Sequence, residues 1–418
     1  MDSSSSNRKA RRKSSDNREP VRPRGPGLMS GFRARVAIGP GKTIGNHEPG
    51  GHGGPTLAVL IAMSVGALTF AGLLMVMSAS AVAALEKTGS AFFIFWRQLI
   101  MAGFGFIAMI YLARHDYHRL QKWVGPLVFI SVGLLVLVLI PGIGASAGGA
   151  SRWIGWGSVG FQPSELAKLA TLVFCAFALT RPGHEPETTK EYLLPTLPVV
   201  GVFAVLVMLQ PDMGTTLSMG IGLFVILWVA GLPKRAWFGL LLVAAAGAFV
   251  LSMTEDYRRR RMLAFIDPWA DAGDAGYHSV QSLLAIGSGG WTGLGLGAGR
   301  QKWTFLPNAH TDFVFAVIGE ELGFVGCIAV MALFVFFGYV GFRVAANAPD
   351  RFGRLLAAGI TGWVCIQALL NIGVTTGRLP VTGIPLPLVS AGGSALVVSL
   401  AAMGILISIA RSSERAGQ

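Results

Sequence analysis

The run FLPNAHTDFVFAVIGEELG, residues 305–323, places a carboxylate, Asp312, beside His310 and Thr311 where a long apolar stretch begins. Two chemistries fit that position. A carboxylate at a helix start can cap free backbone N–H groups and is favoured by the helix dipole. A partly desolvated carboxylate beside a reacting hydroxyl can instead accept its proton as a general base. His310 could serve the same role or hydrogen-bond locally. Some fifty residues upstream stands DYRRRR, residues 256–261, and between the two lie Arg300 and Lys302. Guanidinium forks match phosphate geometry. The stretch therefore offers a base and six cations, a set suited to holding an anionic leaving group while a hydroxyl is activated.

The elements that must position these groups are membrane helices. Of 418 residues, 52% are hydrophobic and only 13% charged, about half the charge of a soluble domain. Apolar runs of about 20 residues recur. In lipid their backbone groups need internal partners, which makes the runs helices. Ten spans are expected, at about 56–78, 92–113, 123–141, 163–180, 192–209, 213–231, 236–253, 312–342, 354–376 and 386–410. The chain thus reads as an all-α polytopic membrane protein. The 56 glycines suit close helix packing. Cys175, Cys327 and Cys365 lie apart in apolar runs and form neither a disulfide framework nor a CxxC pair.

Charge fixes the orientation. Residues 1–55 carry eleven cations among Ser, Pro and Gly, too polar for a signal peptide and unable to bury a core. They read as a basic, disordered cytoplasmic tail facing anionic lipid, with no nucleic acid implied. Alternate loops then hold Arg114, Arg119 and Lys122, Arg181 and Lys190, Lys234 and Arg235, and Arg343, Arg351 and Arg354. The short intervening loops hold only Lys87, Arg152 and Arg378. Both termini are therefore expected inside. The domain spans 56–411, loop 254–311 lies outside, and 412–418 is a short inner tail. The four arginines run against this trend, which a tolerated exposed run or an anionic ligand at the outer surface would explain.

The outer loop has internal order. YHSVQSLLAIGSGG (277–290) has helical spacing. GLGLGAGRQK (293–302) lacks the spacing and βαβ context of a nucleotide loop and reads as a turn-rich connector. Other costly polar groups gather toward the same side. These are Arg97 and Gln98, Glu165 and Lys168 three residues apart on one helical face, Asp212 in LQPDMGTT, and Glu320 and Glu321. VTTGRLPVTGIPLPLVSAGGS (374–394), with three prolines, reads as an irregular re-entry lining a cavity.

QPSELAKLA, LQPDMGTT, GYHSVQSLLAIGSGG, FLPNAHTDFVFAVIGEELG and GIPLPLVSAGGS, in that order, resemble the SEDS family (shape, elongation, division, sporulation) over about residues 60–411. The resemblance implies a peptidoglycan glycosyltransferase of the bacterial inner membrane. Such an enzyme polymerises lipid II, a disaccharide-pentapeptide on undecaprenyl pyrophosphate, beside a class B penicillin-binding protein that crosslinks the product. It assigns the general base to Asp312 and the pyrophosphate to outer arginines, Arg261 foremost, then Arg258 and Arg260. Lys302, His310, Arg97, Glu165, Lys168 and Asp212 are the further expected substrate contacts. Asn308 stands where the family has Glu, and Ala391 and Ala395 depart from its SYGGSS pattern. FIDPWAD, LGLGAGRQKWTFLP and the long tail look FtsW-like, and that tail could bind division partners. IPLPLVS and AIGSGG look RodA-like.

Two other function classes compete. A lipid II flippase needs polar groups at both leaflets and favours internal repeats; here the polar groups lie outside and no repeat is evident. A non-catalytic scaffold for the penicillin-binding protein would tolerate loss of Asp312. No resident cofactor or protein-held metal is expected. Asp256, Asp267, Asp271 and Asp274 fit no calcium loop, and a magnesium or manganese ion would at most accompany the substrate.

Overall fold

A computed structural model describes residues 55–147, 150–156, 159–183, 185–254, 256–274, 276–303 and 305–416. The expected tail over 1–55 lies outside these except for Pro55. The chain enters through three helices, α1 (Leu57–Thr88), α2 (Phe93–Arg114) and α3 (Arg119–Leu139). A small sheet follows, of β1 (Gly144–Ala147), β2 (Ala150–Trp156) and β3 (Val159–Phe161). Then come α4 (Pro163–Ala178), the short α5 (Thr189–Leu193), α6 (Leu197–Met208), α7 (Met213–Ala230) and α8 (Lys234–Thr254). The long loop before α11 carries α9 (Asp256–Ile266) and α10 (Tyr277–Gly289), and the chain closes with α11 (Val314–Asn347), α12 (Arg351–Thr375) and α13 (Gly393–Ala416).

Each of the ten expected spans contains a helix. Eight described helices are long and apolar enough to cross a membrane; α4, with 16 residues, and α6, with 12, are shorter. At 1.5 Å per residue, α6 reaches roughly 18 Å, well short of a ~30 Å hydrocarbon core. The helix ends follow local chemistry. Thr56 caps α1 by accepting from Val59 N, and Gly89 ends it in the left-handed conformation. Pro163 opens α4, and Asp350 accepts from Phe352 N and Gly353 N to start α12. α12 and α13 are the most enclosed spans and α8 the least. Phe70, Phe129, Leu242 and Val335 point outward from the bundle, as lipid-facing side chains do.

Three differences from the sequence expectations bear on the site. The helix of the tenth expected span, α13, starts at Gly393, not near 386, because Pro385, Pro387 and a left-handed Leu388 (φ 64°) keep the preceding segment irregular. That segment lies on α1 at Gly72, where a side chain would come within 2.6 Å of the Val389 backbone. The loop after α3 is not plain coil. β1 pairs antiparallel with β2, and β2 with β3 in the register Ile154↔Phe161, Gly155↔Gly160. The four arginines lie on a helix, α9, rather than on open loop.

The long α11 is broken at Gly323 (φ 68°, ψ −164°). Across the break, Phe324 N donates to Gly290 O (2.9 Å) and Val325 N to Trp291 O (3.1 Å). In return Leu294 N donates to Glu320 O (3.0 Å) and Gly295 N to Glu321 O (3.0 Å). The helix thus exchanges two of its own i→i−4 bonds for four to the outer-loop connector. A Cβ at Gly323 would sit 2.3 Å from Gly293 N. Gly323→Ala should therefore cost more than about 2 kcal/mol and lower the melting temperature of the detergent-purified protein. Gly66→Ala, on an open face of α1, should leave it unchanged or slightly raise it.

Candidate active site

Asp312 is held from several directions. Asn308 adopts a left-handed conformation (φ 55°) and accepts at its carbonyl from Thr311 N (3.0 Å) and Phe313 N (3.4 Å), turning the chain just before α11. Asn371 of α12 donates to the Asp312 carbonyl and to the Ile384 carbonyl, both at 2.8 Å. Ala391 N donates to the His310 carbonyl at 2.8 Å. The proline-rich segment and the Asp312 turn are therefore one bonded unit. Within it Gly383 is the near neighbour of Asp312 Oδ2, which lies 3.8 Å from where a Cβ at that position would be.

The helix-cap reading of Asp312 is not realised. The residue capping α11 is Phe313, and no side chain accepts from the first turn. The partly buried carboxyl is pushed up to about 6. Burial is the main cause; Arg261 opposes it, Asp212 adds to it, and Arg152 opposes it more weakly. A carboxyl so poised is ionised at neutral pH yet basic enough to take a proton from an activated hydroxyl.

Of the described arginine side chains on α9, Arg261 is the partly buried one whose charge reaches Asp312. Arg260 is exposed, 3.6 Å from Asp274. The side chain of Arg258 lies outside the described residues. His278, on α10, is also within range of Arg261, and its ring stacks on that of Phe313 (5.8 Å between centroids, 5° between planes).

The remaining expected residues have definite places. Asp212 caps α7, accepting from Thr215 N (3.1 Å), Thr215 Oγ1 (2.8 Å) and Gln162 Nε2 (3.1 Å). Arg152 on β2 donates to the carbonyls of Gln210 (3.0 Å) and Pro211. The sheet is thereby anchored where its guanidinium faces Asp312. Glu165 and Lys168 form a buried pair at 2.9 Å, with the ammonium 5.2 Å over the Trp363 ring. They line a small cavity with Gln367 and Ser390. Arg97 is partly exposed on the first turn of α2. Its neighbour Gln98 is buried and grips the re-entrant segment at Ser390 O (3.3 Å) and Gly392 N (3.1 Å).

Lys302 faces inward, away from solvent. Its three donors are taken by Ser78 Oγ (2.9 Å), Gly297 O (2.8 Å) and Glu321 Oε1 (2.8 Å). Ser78 Oγ also lies 2.6 and 2.7 Å from the two Glu321 oxygens. Glu320 accepts from Arg300 N (2.6 Å) and Gln301 N (3.1 Å). Sequence reasoning had placed Lys302 with the phosphate-binding cations. It had not singled out Arg152, His278 or Asn371. Arg152 was legible as a charge in a charge-poor loop, and Asn371 as an amide in an apolar run. Among the described residues no three His, Cys, Asp or Glu side chains are grouped to hold a metal ion.

A bundle of apolar helices with a raised carboxyl and a guanidinium at one mouth is the architecture of a membrane-embedded enzyme. The chain belongs to the FtsW/RodA/SpoVE family of cell cycle proteins, whose match covers residues 58–415. It is 42% identical over 351 residues to the "Probable peptidoglycan glycosyltransferase FtsW" of Geobacter sp. (strain M18), covering 84% of this chain and 96% of that one. It is 42% identical over 340 residues to the stage V sporulation protein E of Bacillus subtilis (strain 168), covering 81% and 93%. Among solved structures it superposes on the rod shape determining protein RodA of Thermus thermophilus with a TM-score of 0.62 and 31% identity, covering 84% and 96%. It superposes on a chain from a study of polymerization and crosslinking by a peptidoglycan synthase complex with a TM-score of 0.69 and 32% identity, covering 84% and 97%. These findings agree with the FtsW-like resemblance read from the motifs.

Removing one partner of a buried ion pair costs about 3–5 kcal/mol. Lys302→Ala and Glu321→Gln should each lower the melting temperature of the purified protein. Their effects should be far from additive in the double variant, since both break one network. Additive effects in that cycle would show that the two side chains do not interact.

Proposed function

We propose that this chain is a peptidoglycan glycosyltransferase that polymerises lipid II at the outer face of the bacterial cytoplasmic membrane, with Asp312 as general base. The observation that carries the reading is the Asp312 carboxyl itself, uncapped, raised to about 6 and facing Arg261. In the reaction Asp312 takes the proton of the acceptor 4-hydroxyl. The freed oxygen pair forms a bond to the anomeric carbon of the donor sugar. The bond from that carbon to the pyrophosphate oxygen breaks, and undecaprenyl pyrophosphate leaves with the electron pair. Arg261 meets the charge that develops on the leaving group, and Arg260 on the same helix adds an exposed cation. Arg152 helps keep Asp312 ionised between turnovers.

The partner on this reading is a class B penicillin-binding protein that crosslinks the glycan. The related chain from a peptidoglycan synthase complex supports it. The basic N-terminal tail is cytoplasmic and engages division or elongation proteins, and both termini lie inside. A magnesium or manganese ion, where present, is held mainly by the pyrophosphate, since the nearby Asp212 carboxylate is already committed to Thr215 and Gln162.

Lipid II polymerisation by the purified chain with its penicillin-binding partner tests the reading. Asp312→Ala should lower the rate by about 10²–10⁴-fold while partner binding persists. Undiminished polymer from that variant would remove Asp312 from the chemistry. Absence of polymer from the wild type, with the partner still bound, would favour the flippase or scaffold roles. The pH profile adds a second check. The base works only when ionised, so kcat/KM should fall as pH drops through about 6, approaching tenfold per unit below it. A profile flat from pH 7 to 5 would rule out a base with that pKa.

A further inference from the structure

His278 is a half-buried imidazole within range of Arg261 with no assigned task. It sits in the first turn of α10, and its ring lies flat on Phe313, the residue next to Asp312. Its Nδ1 is shut off from solvent and has no hydrogen-bond partner among the described residues. Native proteins pair the great majority of such groups, and an exception at a site calls for an explanation. An enclosed N–H without an acceptor costs more than an enclosed lone pair without a donor. The proton therefore belongs on Nε2, with the lone pair on Nδ1. Burial and the Arg261 guanidinium both hold the imidazole below its usual range, so near neutrality it is an uncharged donor. Within range of the Arg261 guanidinium the structure thus sets one acceptor, the Asp312 carboxylate, and one further donor, the His278 ring.

We infer that His278 is a substrate-binding residue that donates a hydrogen bond from Nε2 to the pyrophosphate of a polyprenyl-borne substrate, sharing that anion with Arg261. The inference rests on the proposed glycosyltransferase reading for the identity of the anion. It divides the site in two: the acceptor hydroxyl goes to Asp312, and the departing pyrophosphate goes to Arg261 and His278. Stacking on Phe313 fixes the ring plane, so the donor is held in place before substrate arrives. That saves the ordering cost a free side chain would carry.

The test is binding of undecaprenyl pyrophosphate, with undecaprenol as the phosphate-free control, to the full-length detergent-purified protein. His278→Phe keeps a flat ring against Phe313 and removes both nitrogens. His278→Gln returns an N–H donor at similar reach. His278→Phe should bind undecaprenyl pyrophosphate about tenfold to a hundredfold more weakly, the effect of one hydrogen bond to a charged group. His278→Gln should stay within about threefold of wild type, and undecaprenol should bind all three alike. Unchanged pyrophosphate binding in His278→Phe overturns the inference. An equal loss for undecaprenol does so as well, because it marks a packing defect. Should His278→Phe not fold, His278→Met, apolar and of similar length, carries the same contrast. Wild-type protein that binds the pyrophosphate lipid through His278 but makes no glycan would sink the glycosyltransferase reading and leave this one standing.

Discussion

The half of the molecule that holds Asp312 depends on the break in α11. Giving up helical hydrogen bonds in a membrane protein is costly unless each freed group finds a new partner. At Gly323 each does, and all four partners come from the connector between α10 and the Asp312 turn. The exchange makes a spanning helix and a surface loop share one set of bonds. Glu320 and Glu321, buried on the turn before the break, extend the same device. One binds the backbone of Arg300 and Gln301, and the other binds Lys302, Ser78 and Gly297. Buried carboxylates are tolerated only when fully partnered, so these two dictate where the connector must lie. Asp312 follows ten residues after Lys302, and its position is inherited from that arrangement.

A second latch works from the opposite side. Asn371 joins the Asp312 turn to the segment before α13, Gln98 joins that segment to α2, and Asp212 with Arg152 joins the sheet to α7. These links use polar side chains inside or at the ends of apolar helices, where an unpaired group would be expensive. They converge on a turn that is polar, partly enclosed and rigid, the condition under which a carboxyl shifts and stays shifted.

Much of this was legible in the sequence, and the limits have physical causes. Helix positions follow from long apolar runs, a local property of composition. The α10 helix follows from Val280, Leu283 and Leu284 at helical spacing. Asp312 stood out because a carboxylate beside an apolar run is rare. What could not be read depends on partners distant in sequence. Lys302 looked like a phosphate ligand because its charge is local while Ser78, which helps to engage it, is 224 residues away. The sheet after α3 escaped because its strands are short and rich in Gly, Ala and Ser, with little of the β-branched signal that marks a strand. Arg152 gained meaning only once that sheet placed it on the Gln210 and Pro211 carbonyls, within charge range of Asp312.

The placement of DYRRRR follows from the same geometry. Long outer loops are partly exempt from the charge rule that orients membrane proteins, but exemption explains only tolerance. On α9, successive arginines point in different directions around the helix, so a single run serves two environments. Arg261 turns inward to the raised carboxyl, while Arg260 remains in solvent near Asp274. An inward guanidinium close to a carboxyl would ordinarily pull its pKa down. Burial outweighs that pull, so the carboxyl retains basicity while the cation remains within reach of an anion. A base and an anion-binding cation are thus held at one mouth, with enclosure by the latched loops keeping the carboxyl basic.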